Sequence, residues 1–193
     1  MTIANRKPLI GLTSPPPADP ALLRLQQAFE PSLGFVPNSL IYMVQVPGLA
    51  DAIVQLNQSA MNQGTVDPGL KRLAAYMVSR VAGCQYCMSH TLRAAASLGV
   101  DQAKLDGLWE FRTHPAYSAA ERAAFEFVLA TAQVPNAVDE STMAQLRLYW
   151  SDCQVLELLA VASLFAFMNR WNDSLATPLE HEPVESSAGP TAA

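Results

Sequence analysis

The sequence predicts an all-α protein, a helical bundle of about eight or nine helices. Three observations carry this. Leu70, Leu73, Ala74, Met77, Val78 and Val81 recur at the spacing that lines one face of a helix. Helix start signals stand at Asp67-Pro68 (an acidic cap before proline), Ser118-Ala119-Ala120-Glu121 and Ser151-Asp152-Cys153-Gln154 (two capping boxes). No segment shows the alternation of a half-buried strand.

The elements follow in order. Residues 1–20 read as a flexible arm, because Ser14-Pro15-Pro16-Pro17 favours polyproline II. Ala21 to Glu30 is a short amphipathic helix stopped by Pro31. Leu33 to Pro37 is a turn, and Asn38 caps a helix to about Val46. Pro47 opens a third helix through Asn62, ended by Gly64. The helix from Pro68 meets Gly83, either a left-handed break or a point of close packing. Helix then continues to Leu98, with Gly99 as its stop. Asp101 to Phe111, Ser118 to about Ala132, Asp139 to about Trp150, and Ser151 to about Asn172 complete the bundle. Residues 21–178 form the domain. The tail 179–193, rich in Glu, Pro, Ser, Gly and Ala, is expected to be disordered.

Composition narrows the function. Half of the 193 residues are apolar and 15% are charged, below the roughly 25% of ordinary soluble domains. Such a chain buries much of its surface, which suggests a homo-oligomer. The net charge is −5 and basic runs are absent, which argues against nucleic acid. Residues 1–20 lack the apolar core of a secretory signal. Val155 to Met168 is interrupted by Glu157 and too short to cross a bilayer. The expected location is cytoplasmic, with no membrane partner.

Gly83-Cys84-Gln85-Tyr86-Cys87-Met88-Ser89-His90 carries the chemistry. On a continuous helix Cys87 lies about 60° from both Cys84 and His90, which are themselves about 120° apart. Cys87 is therefore the reactive thiol, His90 its base and Cys84 the thiol that closes the disulfide. Residues three apart on a helix have Cβ atoms about 5–6 Å apart, and a disulfide needs about 3.5–4.5 Å. The pair closes with modest adjustment, and the strain makes the bond easy to reduce. If Gly83 is a break, the pair sits at a new helix start, where amide N–H groups lower a thiol pKa. Two bland readings compete: a pair of core cysteines, or a zinc site that borrows Cys153, His114 or His181 as a fourth ligand. Haem attachment is excluded because Met88, not histidine, follows Cys87. Helical flanks also disfavour a thioredoxin-like βαβ setting.

With Gly34-Phe35-Val36-Pro37-Asn38 some fifty residues upstream, this stretch resembles the AhpD-like alkylhydroperoxidase and carboxymuconolactone decarboxylase superfamily, in its peroxidase-related branch. Ser118 to Ala124 and Asn169-Arg170-Trp171-Asn172-Asp173 are also similar, so the resemblance spans about 21–180. It implies an AhpD-like fold, usually oligomeric, and a peroxidase acting on a small hydroperoxide. Electrons would come from a dithiol donor, with no cofactor and no metal. By position it makes Cys87 the peroxidatic cysteine, Cys84 the resolving one and His90 the proton relay. The chain departs from the pattern twice. Its histidine follows Cys87 by three residues rather than four, and Leu70-Lys71-Arg72-Leu73 lacks the usual relay acid. Glu157, in an apolar run, is the expected substitute, with a pKa raised by burial. Tyr86 is a second candidate relay group. The alternatives are a non-catalytic redox-sensing or structural protein on the same fold, or a zinc-stabilised binding module.

Overall fold

A computed structural model of the chain describes residues 7–11 and 19–180, and the described residues are helical with no strand. The helices are α1 (Pro20–Leu33), α2 (Asn38–Val44), α3 (Leu49–Asn62), α4 (Pro68–Ala82), α5 (Gln85–Ser97), α6 (Gln102–Asp106), α7 (Ala119–Thr131), α8 (Glu140–Arg147) and α9 (Asp152–Leu175), with a 3₁₀ turn at Leu108–Glu110. The all-α bundle expected from the sequence is what the chain forms.

The start signals work as read. Asp67 accepts the Leu70 N–H at 2.8 Å, and both capping boxes, at Ser118 and Ser151, close in each direction. Several boundaries differ, and Pro47 does not open α3, which starts at Leu49 after the left-handed Gly48. Pro31 does not stop α1: it lies in the last turn, where it forgoes a single backbone bond, and Gly34 at φ 78° ends the helix three residues later. Asn38 is the first residue of α2, not its cap; Pro37 holds that position without a side-chain bond. Asp101 to Phe111 divides into α6 and the 3₁₀ turn at Gly107.

The core wraps α4, which packs on α5, α7 and α9. Leu73, Ala74, Ala75, Met77 and Val78 of α4 are buried against Phe111, Phe125, Val128, Leu158 and Val161. A smaller cluster of Leu25, Val36, Leu40, Met43, Ala50 and Ile53 joins α1, α2 and α3. At 24 residues α9 is longer than its apolar run suggested, and by length and composition it could cross a membrane. Here it packs against α3, α4, α5, α7 and α8 and buries Val155, Leu158, Val161, Leu164 and Phe165. In the arm, the Leu9 N–H reaches the Leu175 carbonyl at 3.0 Å and the Ile10 carbonyl accepts from Tyr42 at 2.8 Å. Most of the tail expected from 179 lies outside the described residues.

Glu157 is not near the cysteines. It ion-pairs at 2.8 Å with Lys71, which is 1% exposed, and it accepts from the Thr65 and Val66 N–H groups. Lys71 also donates to the Gln63 carbonyl. The pKa moves opposite to expectation. Burial raises it, but the Lys71 bond and the two amides outweigh burial and bring it to about 2. Glu157 thus balances a buried lysine, and its apolar neighbours misled the sequence reading. Gly64 makes room for the pair: at φ 91°, a Cβ there would fall on the Glu157 carboxylate. Gly64→Ala is expected to lower stability by roughly 3 kcal/mol, from backbone strain and displacement of the carboxylate, measured by urea unfolding at pH 7. A loss below about 0.5 kcal/mol would contradict this account.

Candidate active site

Gly83 is a break. At φ 75° it caps α4, and its N–H bonds back to the Arg80 and Ser79 carbonyls. Cys84 follows in an extended conformation as the N-cap of α5. The continuous-helix geometry therefore gives way to N-cap geometry. The Cys84 sulfur accepts the Cys87 N–H at 3.4 Å, the contact a capping serine would make. Cys87 is the third residue of α5 and His90 lies one turn on, on the same face.

Both thiols are buried and both are free. Their acidities diverge. The Cys87 thiol beside it lowers the Cys84 pKa; burial opposes this, and the Cys87 and Tyr86 amides assist it. The Cys87 pKa is raised by the Cys84 thiol, by burial and by the negative charge on Cys84, while Asn172 acts the other way. The helix start thus favours charge on Cys84, and the buried Cys87 needs a base to ionise.

Access divides the other way. A cavity of about 240 Å³ opens on Cys87, Tyr86, His90 and Asn172, and Cys84 is not among its lining residues. Its walls are Phe29, Leu40, Ile53, Val54, Phe165 and Met168, with Asn57, Gln58 and Asn62 of α3 at one side. Asn172 donates one amide hydrogen to the Cys87 sulfur at 3.4 Å and another to the Met168 carbonyl at 3.0 Å.

An acid beside this cavity is Glu180. Its Oε2 lies 2.8 Å from His90 Nε2. Its Oε1 accepts the Tyr86 hydroxyl at 2.6 Å and the Asn38 N–H at 2.6 Å. Burial raises the Glu180 pKa, but the His90, Tyr86 and Asn38 bonds win and leave it below the usual carboxylate range. Tyr86 is driven well up by burial and by the Glu180 charge, so its hydroxyl stays protonated. It also accepts the Ser39 N–H at 3.2 Å, and its ring lies 4.4 Å from that of His90.

The structure thus gathers Cys84, Cys87, Tyr86 and His90, and leaves Glu157 elsewhere. The sequence reading missed Asn172 and Glu180. Asn172 lay in a stretch already singled out. Glu180 lay beyond Pro178, in composition that reads as tail. Among the described residues no three His, Cys, Asp or Glu side chains form a ligand set, and Cys153 is exposed at the start of α9. His181 lies outside the described residues.

An all-α fold with a paired-thiol helix start and a histidine one turn on defines the class. The model of the carboxymuconolactone decarboxylase family matches residues 47–130. The debrominase Bmp8 is 31% identical, with 89% of this chain and 92% of that one covered and a TM-score of 0.80. A Cys-to-Ala variant of Bmp8 in complex with 2,3,4-tribromopyrrole gives 30% and 0.81, covering 91% and 95%. A peroxidase-related protein from Silicibacter sp. TM1040 shares the fold, with 20% identity, a TM-score of 0.82 and coverage of 94% and 96%. YnjA of Escherichia coli (strain K12) is 24% identical over 115 residues, which span 60% of this chain and 63% of that protein's length. The chain belongs to the carboxymuconolactone decarboxylase family, and it shares its fold with AhpD-like, peroxidase-related proteins.

Proposed function

We propose that this protein is a dithiol peroxidase that reduces small organic hydroperoxides. The supporting observation is the division of labour in the pair: Cys87 lines an apolar-walled cavity, while Cys84 lies behind it at the helix start. His90 takes the Cys87 proton. The thiolate attacks the terminal oxygen of R–O–O–H and the O–O bond breaks. Cys87 becomes sulfenic acid, and the alkoxide takes the proton from His90 to leave as alcohol. Cys84 then attacks the Cys87 sulfur, water leaves and the disulfide forms. A dithiol donor returns both thiols. In sum, one hydroperoxide and two thiols give one alcohol, one water and one disulfide. With dithiothreitol as donor, the protein is expected to consume cumene hydroperoxide, and Cys87→Ser to be inactive. No consumption with any dithiol would refute the reading.

Similarity to Bmp8 over 89% of the chain favours a second reading, removal of bromine from a small brominated heteroarene. The pair would supply the same two electrons: an aryl bromide and two thiols give the arene, a disulfide, bromide and a proton. Bromide release from 2,3,4-tribromopyrrole, beside hydroperoxide consumption under the same conditions, separates the two readings.

A further inference from the structure

Two features of the chain remain without a role: the Gly34 to Asn38 turn and the segment beyond α9. They meet. The Asn38 side chain donates to the Pro178 carbonyl at 3.0 Å, and its backbone N–H donates to Glu180 at 2.6 Å. Pro37 brings no side-chain bond to the start of α2, so Glu180 serves an amide that lacks a cap. Pinned at both points, Glu180 is 9% exposed at its side chain and meets His90 and Tyr86.

Hydrogen-bond chemistry then fixes the histidine. Oε1 already accepts two hydrogen bonds, and an ionised carboxylate has no proton to donate. His90 Nε2, 2.8 Å from Oε2, must carry the hydrogen. In neutral imidazole the basic nitrogen is therefore Nδ1. A carboxylate that holds a catalytic imidazole in one tautomer, and balances the charge when it gains a proton, is a known device.

We propose that Glu180 is the positioning residue of the thiol relay, supplied by the segment after α9 and held in place by Asn38. It fixes His90 with its proton on Nε2 and leaves Nδ1 to take the thiol proton. This rests on the dithiol reading of the site. It also relocates the relay acid from the helix before the cysteines to the far end of the domain.

The test uses ¹⁵N-histidine NMR of the full chain, read on the alkaline side of the imidazole titration. Wild type is expected to show His90 as the Nε2–H tautomer. In Glu180→Gln the amide donates to Nε2, and the proton is expected to move to Nδ1. Dithiol-dependent turnover is expected to fall about 100-fold, with the circular dichroism melting curve retained. Glu180→Asp is expected to recover part of the turnover and the wild-type tautomer. An Nδ1–H tautomer in wild type would overturn the proposal, and that result needs no variant to fold. So would Glu180→Gln turnover equal to wild type. If Cys87→Ser is inactive while Glu180→Gln is unaffected, only the role of Glu180 falls; if Cys87→Ser is fully active, the dithiol reading falls first.

Discussion

Cys84→Ser is expected to perform one turnover and stop, with Cys87 held as sulfenic acid. Steady-state turnover then falls roughly 1,000-fold or more, because no second thiol returns Cys87 to service. A dimedone adduct at Cys87, one per chain after a single addition of hydroperoxide, is the direct readout. An adduct at Cys84 in Cys87→Ser would exchange the two roles. The substitution also tests the acidity argument. In the intact pair, the Cys84 thiol and its charge raise Cys87, in addition to burial. Removing Cys84 takes away both contributions, so the Cys87 pKa moves down. Iodoacetamide alkylation of Cys87 is then expected to reach half-maximal rate at lower pH in Cys84→Ser than in wild type. In the mirror variant, Cys87→Ser, Cys84 keeps the Cys87 amide but loses the neighbouring thiol, its largest lowering influence. Its alkylation midpoint is expected to rise. If Cys87 alkylation moved upward in Cys84→Ser, Cys84 would not be what raises Cys87.

Access and acidity sit on different sulfurs for a reason visible in the backbone. Gly83 turns the chain so that Cys84 caps α5 while Cys87 occupies its first turn. The cap collects the amides, which favour charge there; the first turn faces the cavity. Had α4 run on without a break, both thiols would share one surface, as the continuous-helix reading assumed. The sequence contained the choice, since glycine before the pair permits either arrangement.

Local signals were read well. Asp67, Ser118 and Ser151 act through partners within three residues, and the chemistry of a cap is written at that distance. The two carboxylates show where such reading fails. Glu157 sits in an apolar run, so it read as a raised acid near the thiols. Its true environment is set by Lys71 on α4 and by amides at 65 and 66, about ninety residues away. Glu180 sits in polar, proline-bounded sequence, so it read as tail. Its partners are Asn38, Tyr86 and His90, from two other helices. In both cases the residue's neighbours in sequence describe its surroundings poorly, because the decisive contacts are tertiary. A periodicity argument places a residue on a face; it does not identify what lies opposite.

Glu157→Gln is expected to cost about 3 kcal/mol at pH 7, because it leaves the 1%-exposed Lys71 without its counter-charge. For a chain of this size that lowers Tm by roughly 10 °C. The pH dependence distinguishes this ion pair from simple packing. Folding holds the Glu157 pKa near 2, below the ordinary carboxylate value near 4.5. A group depressed in the folded state adds stability that is complete above its unfolded value and is lost as pH falls through the folded one. Wild type and Glu157→Gln should therefore differ by the full amount at pH 7, and the difference should shrink between about pH 4.5 and pH 2. Urea midpoints collected across that range give the comparison directly. Lys71→Met offers the complementary check. It leaves Glu157 bonded to the Thr65 and Val66 amides while removing the buried charge, so its cost should be smaller than that of Glu157→Gln. A larger cost for Lys71→Met, or a difference between wild type and Glu157→Gln that stays constant with pH, would mean that packing around α4 and α9, rather than charge balance, holds this part of the core.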